Sequence, residues 1–498
     1  MKGRTWKGSS TDAFLPVKGF LTKLGATEDT ELKSAHELWR LRYAGSVFTA
    51  YKSGTLYCNG GQAPELPFVY QRISESLGQT LETPTRSILI GLDETGKGEV
   101  LGHSALAAVK LASSLMSEVD KVLGSVDTKK RKEFGFWDRL IKELDSLRGR
   151  DFSYEVETIP PWDADRYNIN KIQDVVYQRL LGRALRGLDL SSVRIIVDDY
   201  GIGRNLDRFL QSLHKAGAEV RVEMQADERY VEVRAAAVVS KWRRELAMKR
   251  ISERYSFKDT PVGSGNAGDP LTKAWLVKSK TSGEPWPWFV KTSFSNIREL
   301  DGKTGPVVKE DPPIRHELLS HESTRLFREG KLSTSSLSIV CPGCGSMSTA
   351  AKLTPQPSGE LVGRCVSCEE VILDLDTTLR YYSGLLTPDT SVILGGVISK
   401  DLDKKGFFGG FTFLLHPVVQ RETDTPGGKA ELERLGDFAA MGRIALDHVP
   451  GTVPDERELR DSFVIECART EDAILLTRDR GMYGNAVARK VFCLTLKI

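Results

Sequence analysis

The chain contains no run of eighteen apolar residues, and its start, Met-Lys-Gly-Arg-Thr-Trp, lacks the apolar stretch of a secretory leader. These absences argue against a membrane partner and lead us to expect a cytoplasmic protein. Net charge is only +3, so a general basic surface for polyanions is excluded and any basic patch must be local. Cysteine is scarce. Of seven, four form two Cys-x-x-Cys pairs, a pattern of metal binding in a reducing compartment rather than of a disulfide framework. Internal repeats are also lacking. The composition that remains, 28% charged and 40% hydrophobic, is that of an ordinary soluble globular protein. A length of 498 residues exceeds what one core can serve, so three or four domains are expected.

The most informative segment is residues 87–104, where the apolar run Ile-Leu-Ile-Gly-Leu ends in adjacent carboxylates, Asp93 and Glu94, followed by Gly96-Lys97-Gly98. Paired acids at the end of a buried strand need partners, and divalent cations supply them. Two further acids stand at similar places. Asp198 follows Val-Arg-Ile-Ile-Val, and Asp227 opens a long helix expected from about 228 to 254. Asp199 is the immediate neighbour that a one-residue error would exchange for Asp198. Around them we expect strands Ile88–Leu92, Val193–Val197 and Glu219–Glu223, with helices near 138–148 and 205–216. That alternation reads as an α/β domain with a mixed sheet. Acids at strand ends are also common caps and turn formers, so any one alone is weak evidence. Four carboxylates around two divalent ions suit in-line displacement at a phosphodiester.

The motif Asp-Glu-Thr-Gly-Lys-Gly-Glu-Val-Leu-Gly resembles the signature of ribonucleases HII and HIII, and the likeness covers roughly residues 45–295. Val126-Asp-Thr-Lys-Lys130, Gln225–Lys241, Gly263–Trp275 and Val290–Phe294 are similar to further blocks of that family. The resemblance implies that Asp93, Glu94, Asp198 and Asp227 bind Mg²⁺ or Mn²⁺ and cut the RNA strand of RNA–DNA hybrids, leaving 3′-hydroxyl and 5′-phosphate ends. Gly96, Lys97 and Gly98 would read the 2′-hydroxyl, and Lys129, Lys130 and Lys241 would meet phosphates, with Arg243 and Arg244 either joining them or forming a solvated face. Tyr43–Gly60 looks like the TATA-binding-protein-like (TBP-like) substrate domain of ribonuclease HIII, with Tyr51 and Lys52 exposed on its sheet. Asn266 departs from the family, standing where ribonuclease HII has a junction-reading tyrosine, and this leans towards cleavage of longer hybrids. His103 stands where a proline is usual.

Cys341-Pro-Gly-Cys344 and Cys365-Val-Ser-Cys368 have the spacing of a zinc ribbon, each pair folding two thiolates onto one structural Zn²⁺. Beyond them, about 385–498 resembles a PIN nuclease domain of the PIN–TRAM type. Asp389 looks like the acid of its first strand, Glu422 ends the next segment, Asp461 precedes a helix, and Asp479 follows Ile-Leu-Leu-Thr. By that resemblance the four acids would hold one or two Mg²⁺ or Mn²⁺ ions and cleave RNA. Gly395-Gly396 stands where an Asp-Gly is usual.

We therefore expect an α/β multidomain chain. Its parts are a small α+β TBP-like unit (1–85), a ribonuclease H-like mixed sheet with helices (86–300), a linker (301–337), a zinc ribbon (338–375) and a PIN-like parallel α/β sheet (376–498). The leading functional reading is a metal-dependent endoribonuclease acting on RNA–DNA hybrid, with a second ribonuclease domain acting on RNA. The competing reading is a nucleic-acid-binding sensor or assembly protein in RNA processing or defence, with no productive metal. Oligomeric state is not legible.

Overall fold

The computed structural model describes residues 4–6, 10–77, 84–124, 126, 132–149, 151–312, 337–404 and 406–496. The first sheet is built around the hairpin whose turn is Lys52-Ser53-Gly54. It contains β1 (Arg4–Trp6), β2 (Thr27–Glu28), β3 (Glu37–Tyr43), β4 (Ser46–Tyr51) and β5 (Thr55–Cys58), in the antiparallel order β1-β5-β4-β3-β2. Period-two alternation turns Trp39, Leu41, Phe48, Ala50 and Leu56 onto one face. Phe14, Val17 and Leu21 of α1 (Phe14–Lys23) and Leu66, Val69 and Ile73 of α2 (Leu66–Ser76) join the same core.

The second sheet has the order β10-β9-β6-β7-β8. Its strands are β6 (Ile88–Thr95), β7 (Ser104–Ala112), β8 (Phe152–Ile159), β9 (Val193–Asp198) and β10 (Glu219–Glu223). β6, β9 and β10 run parallel; β7 and β8 pair antiparallel. Both faces are covered, so β6 reads as a continuous apolar run rather than an alternating one. Leu89 packs with α3 (Met116–Leu123), α4 (Phe134–Asp145) and α8 (Val231–Tyr255). Ile90 and Leu92 face α6 (Ile169–Ala184) and α7 (Arg204–Lys215). Gly91 is required by contact: a Cβ there would stand 2.2 Å from the carbonyl carbon of Glu232, so α8 lies directly on β6. This close approach sets where the start of α8 sits relative to Asp93.

Three expectations are adjusted. β6 runs to Thr95, so Asp93 and Glu94 lie within the strand, paired with Ala107 and Leu106, rather than beyond it. The Gly, Pro and Ser content of residues 257–315 reads as a segment wrapping the domain edge, and the structure places α9 (Pro270–Thr281) and α10 (Ser295–Leu300) within it. α6 gives no sequence signal because nearly its whole circumference is buried, Gln173, Asp174, Gln178 and Arg179 included, which erases the amphipathic period. Within the linker the sequence also reads as a polar helix near 314–330, and that segment lies outside the described residues.

The cysteine region and the C-terminal unit share one sheet. A two-stranded ladder, β11 (Ile339–Val340) and β12 (Met347–Ser348), precedes the hairpin of β13 (Ala350–Pro355) and β14 (Leu361–Cys365). β13 then pairs parallel with the last strand, β19 (Cys493–Leu496). With β15 (Leu385–Pro388), β16 (Thr412–Leu415), β17 (Ala445–His448) and β18 (Ile474–Thr477) the order is β14-β13-β19-β18-β15-β16-β17. Sequence reading sets these as two separate units; the β13–β19 ladder joins them. Among the described residues no helix is long and apolar enough to cross a membrane.

Candidate active site

In both larger sheets the chain order across the parallel strands reverses between the first strand and its later neighbour, at β6/β9 and at β15/β18. Loops diverge there and open a crevice at the strands' carboxyl ends, where α/β proteins place ligands. Each predicted set of four acids lies at one of these points.

At the first, alternation along β6 sends Asp93 to the α8 face and Glu94 to the α6 face. Asp198 ends β9, one step beyond the Leu92–Val197 pair. Its Oδ1 accepts the Ala226 N–H at 2.7 Å, tying β9 to the short turn that presents Asp227. Asp199 instead accepts the N–H groups of Gly201 and Ile202, a turn-forming role, and Asp198 is the neighbour whose charge acts on Asp93. Burial raises the Asp93 carboxyl well above its usual range, and the charges of Glu94, Asp198 and Asp227 add to that effect. Glu94 is pushed up to about 7, chiefly by burial, while Lys97 and the Tyr177 hydroxyl, 3.1 Å from Oε2, favour its charged form. Such a set carries more negative charge than its surroundings offset, which is the condition a divalent cation relieves. Among the described residues, only the four cysteines form a group of three or more whose donor atoms all lie within 4.8 Å of one another. Neither acid set is drawn in that far, as mutual repulsion dictates.

The glycine turn stands beside this cluster. Gly96 has φ +87°, and a Cβ there would meet the His103 carbonyl oxygen at 2.8 Å and the Arg244 side chain at 2.9 Å. Its own carbonyl accepts the buried Lys291 ammonium at 2.5 Å. Lys97 donates to the Tyr200 carbonyl at 3.1 Å and lies over the Tyr200 ring, while Gly98 is exposed. Arg244 proves to be neither a phosphate contact nor a solvated residue. It is 1% exposed, donates to the Leu101 and Ser264 carbonyls and pairs with Glu99, because the turn folds over it. Arg243 likewise spends its guanidinium on the carbonyls of Ala439 and Ile444. Lys241 is half-buried against Glu245 at 3.0 Å. Lys129 and Lys130 lie outside the described residues. Asn266 is exposed and caps a turn by accepting the Gly268 N–H. Tyr51 belongs to a different sheet. It lies half-buried on the helix-free face, with Arg40, Arg42 and Tyr57, while Lys52 donates to the Ala35 carbonyl. Tyr177, Tyr200 and Lys291 escaped sequence reading as site residues; only Lys291 carried a signal, within the quoted Val290–Phe294 block.

At the second reversal Asp389 follows β15 as a helix cap rather than leading the strand. It accepts the Val392 N–H and the hydroxyls of Ser391 and Thr477. Glu422 accepts Thr390 Oγ1 at 2.7 Å and Arg460 at 3.0 Å, and Asp479 caps the helix Arg480–Ala488. Burial raises Asp461, and the charges of Asp479, Asp389 and Glu422 raise it further, so the four predicted acids share one neighbourhood. Gly395 is packed under the guanidinium of Arg478, which would have to shift to admit a side chain there.

In the cysteine knuckles the N–H groups of Gly343 and Ser367 donate to Cys341 Sγ and Cys365 Sγ, each at 3.3 Å. Cys341 and Cys368 lie 3.6 Å apart. N–H···S bonds of this kind favour thiolates, and four sulfurs so gathered fit a tetrahedral ion.

A ribonuclease H-like sheet with acids at its reversal point defines the class, and comparison with known proteins agrees. Residues 90–297 match the family model of ribonuclease HII. Ribonuclease HII of Natronomonas pharaonis is 30% identical over 215 residues, 43% of this chain and 93% of that protein. Ribonuclease HII of Aeropyrum pernix is 29% identical over 215 residues, 43% of this chain and 91% of its own. The crystal structure of ribonuclease H2 from Pyrococcus horikoshii aligns with 43% of this chain and 97% of its own at 23% identity, TM-score 0.35. The chain belongs to the ribonuclease HII family through this segment, and is a ribonuclease H-type hydrolase.

Proposed function

We propose that the protein is an endoribonuclease that cuts the RNA strand of RNA–DNA hybrids at Asp93, Glu94, Asp198 and Asp227. The carrying observation is the convergence of these four carboxylates from β6, β9 and the turn before α8, where burial first, and then the charges of Glu94, Asp198 and Asp227, raise the Asp93 carboxyl. They are the residues that would hold Mg²⁺ or Mn²⁺. When bound, such ions supply charge stabilisation to the attacking and leaving oxygens of an in-line displacement. Tyr177 orients Glu94, and Arg234 steadies the turn of Asp227 by donating to its carbonyl. Gly96-Lys97-Gly98, beside the acids, offers backbone groups of the kind a 2′-hydroxyl contact needs. The helix-free face bearing Tyr51, with Lys52 at its edge, suits a duplex backbone, and Cys341, Cys344, Cys365 and Cys368 suit a structural Zn²⁺.

A second, PIN-type ribonuclease site at Asp389, Glu422, Asp461 and Asp479 is supported by the electrostatic coupling of those acids. Labelled RNA–DNA hybrid, single-ribonucleotide duplex and single-stranded RNA, incubated with Mg²⁺ or Mn²⁺, test both readings. Asp93→Asn should lower hybrid cleavage about a thousandfold or more, and Asp479→Asn should remove only single-stranded RNA cleavage. Hybrid cleavage undiminished in Asp93→Asn would sink the first reading. Single-stranded RNA cleavage surviving Asp479→Asn would sink the second.

A further inference from the structure

The short helix α5 (Pro161–Arg166) belongs to the second sheet's unit, yet the C-terminal unit grips it along its length. Asp163, 2% exposed, accepts Arg380 Nη2 at 2.8 Å and the Tyr381 hydroxyl at 2.5 Å. Both partners sit on the helix Leu375–Tyr382 and are each 1% exposed. Arg380 is fixed in turn by donating to the Gly409 carbonyl at 2.6 Å, and its own carbonyl accepts Arg179 of α6 at 2.6 Å. Arg443 lies over the Trp162 ring, and Arg166 pairs with Asp374 at 2.7 Å. Each member of this buried pair is held by further hydrogen bonds, so the pair sets where α5 lies.

Two residues beyond Asp163, Asp165 carries that position onward. Its carboxylate accepts the Thr292 N–H at 2.7 Å, the Thr292 hydroxyl at 2.8 Å and the Ser293 N–H at 2.9 Å. The adjacent Lys291 is held by its N–H on the Val100 carbonyl at 2.9 Å and reaches the Gly96 carbonyl with its ammonium. Charge-assisted bonds, joined by the short chain stretches Asp163–Asp165 and Lys291–Ser293, thus run from the C-terminal unit to the glycine turn.

We propose that the C-terminal unit positions the substrate-reading turn of the hybrid site, with Arg380 and Asp163 as the positioning pair and Asp165 as the relay. The inference rests on the hybrid-cleavage reading above. Without the pair α5 loses its fixed place, residues 291–293 follow it, and Gly96 no longer presents its peptide groups in one geometry. The acids, carried on β6, β9 and the turn before α8, are not displaced, so discrimination suffers more than turnover.

The test uses the full chain with Asp93→Asn to prevent cleavage. Binding of a fluorescent RNA–DNA hybrid and of the same-sequence DNA duplex is measured by anisotropy in Mg²⁺. Arg380→Met and Asp165→Ala should each lower the hybrid-over-duplex preference about fivefold, and the double variant should lower it no further than the larger single change. In the cleavage-competent protein the same changes should raise KM for hybrid more than they lower kcat. A purely structural role would lower melting temperature and active concentration equally for both ligands, leaving the preference unmoved. Where Arg380→Met fails to fold, Asp163→Asn, which retains its shape and the Tyr381 contact, takes its place. A wild-type preference kept by the variants, or multiplicative effects in the double variant, overturns the inference alone. A wild type with no preference for hybrid overturns the hybrid reading and the inference with it.

Discussion

Glu94 is the residue whose protonation reports most directly on the first site. Its folded-state pKa of about 7 lies above the ordinary 4.5, so the metal-free fold retains a proton there that the unfolded chain has released. The stabilisation is complete below pH 4.5 and is lost as pH rises through about 7, because the unfolded chain binds fewer protons across that window. Metal-free protein should therefore lose melting temperature between those pH values, and saturating Mn²⁺, which prefers the ionised site, should reverse the loss. Tyr177→Phe removes a hydroxyl that favours the charged carboxylate, so the Glu94 titration should move further up, as read by carboxyl NMR in metal-free protein. An unmoved titration would show that Tyr177 does not orient Glu94.

At the scale of elements, contact between β6 and α8 and closure of the cysteine hairpin govern the two sites. Gly91→Ala places a methyl group against the backbone of Glu232 and Val233, where neither side has a flexible chain end to yield. Overpacking of this kind should cost about 3 kcal/mol in urea unfolding. The four-cysteine cluster was legible from spacing alone, but the pairing of its hairpin with β19 was not, because strand neighbours across the chain leave no local pattern. That pairing extends the consequences of metal loss. Chelation of Zn²⁺, or Cys365→Ser, should lower the melting temperature of the whole C-terminal sheet rather than of the hairpin alone, measured by far-ultraviolet circular dichroism. An unchanged melting temperature of the sheet signal after verified metal removal would contradict this.

Across the molecule, the apolar core under α6 and α7 is continuous with that of the C-terminal sheet, whereas the first unit keeps a core of its own. Units that share a core and a buried ion pair cannot unfold independently without exposing both. Scanning calorimetry should therefore show the ribonuclease H-like and C-terminal units melting in one transition, with the first unit separate. Two transitions at distinct temperatures for the larger units would refute the shared core.

The chemistry of this protein was written in its local sequence. Asp93 and Glu94 closing an apolar run, the Gly96-Lys97-Gly98 turn, the acids at Asp198, Asp227 and Asp479, and the paired Cys-x-x-Cys motifs are all short-range signals. Strand-end position and spacing decide them, and neither depends on distant partners. What depended on tertiary structure is the identity of the groups that hold that chemistry in place. Arg243 and Arg244 read as surface cations, yet Arg244 is a buried brace and Arg243 a half-buried one. Tyr177 lies on a helix with no amphipathic face, and Arg380 meets Asp163 from 217 residues away. Such partners are chosen by the desolvation of charge in a packed interior, a cost set by whatever else reaches that spot in space.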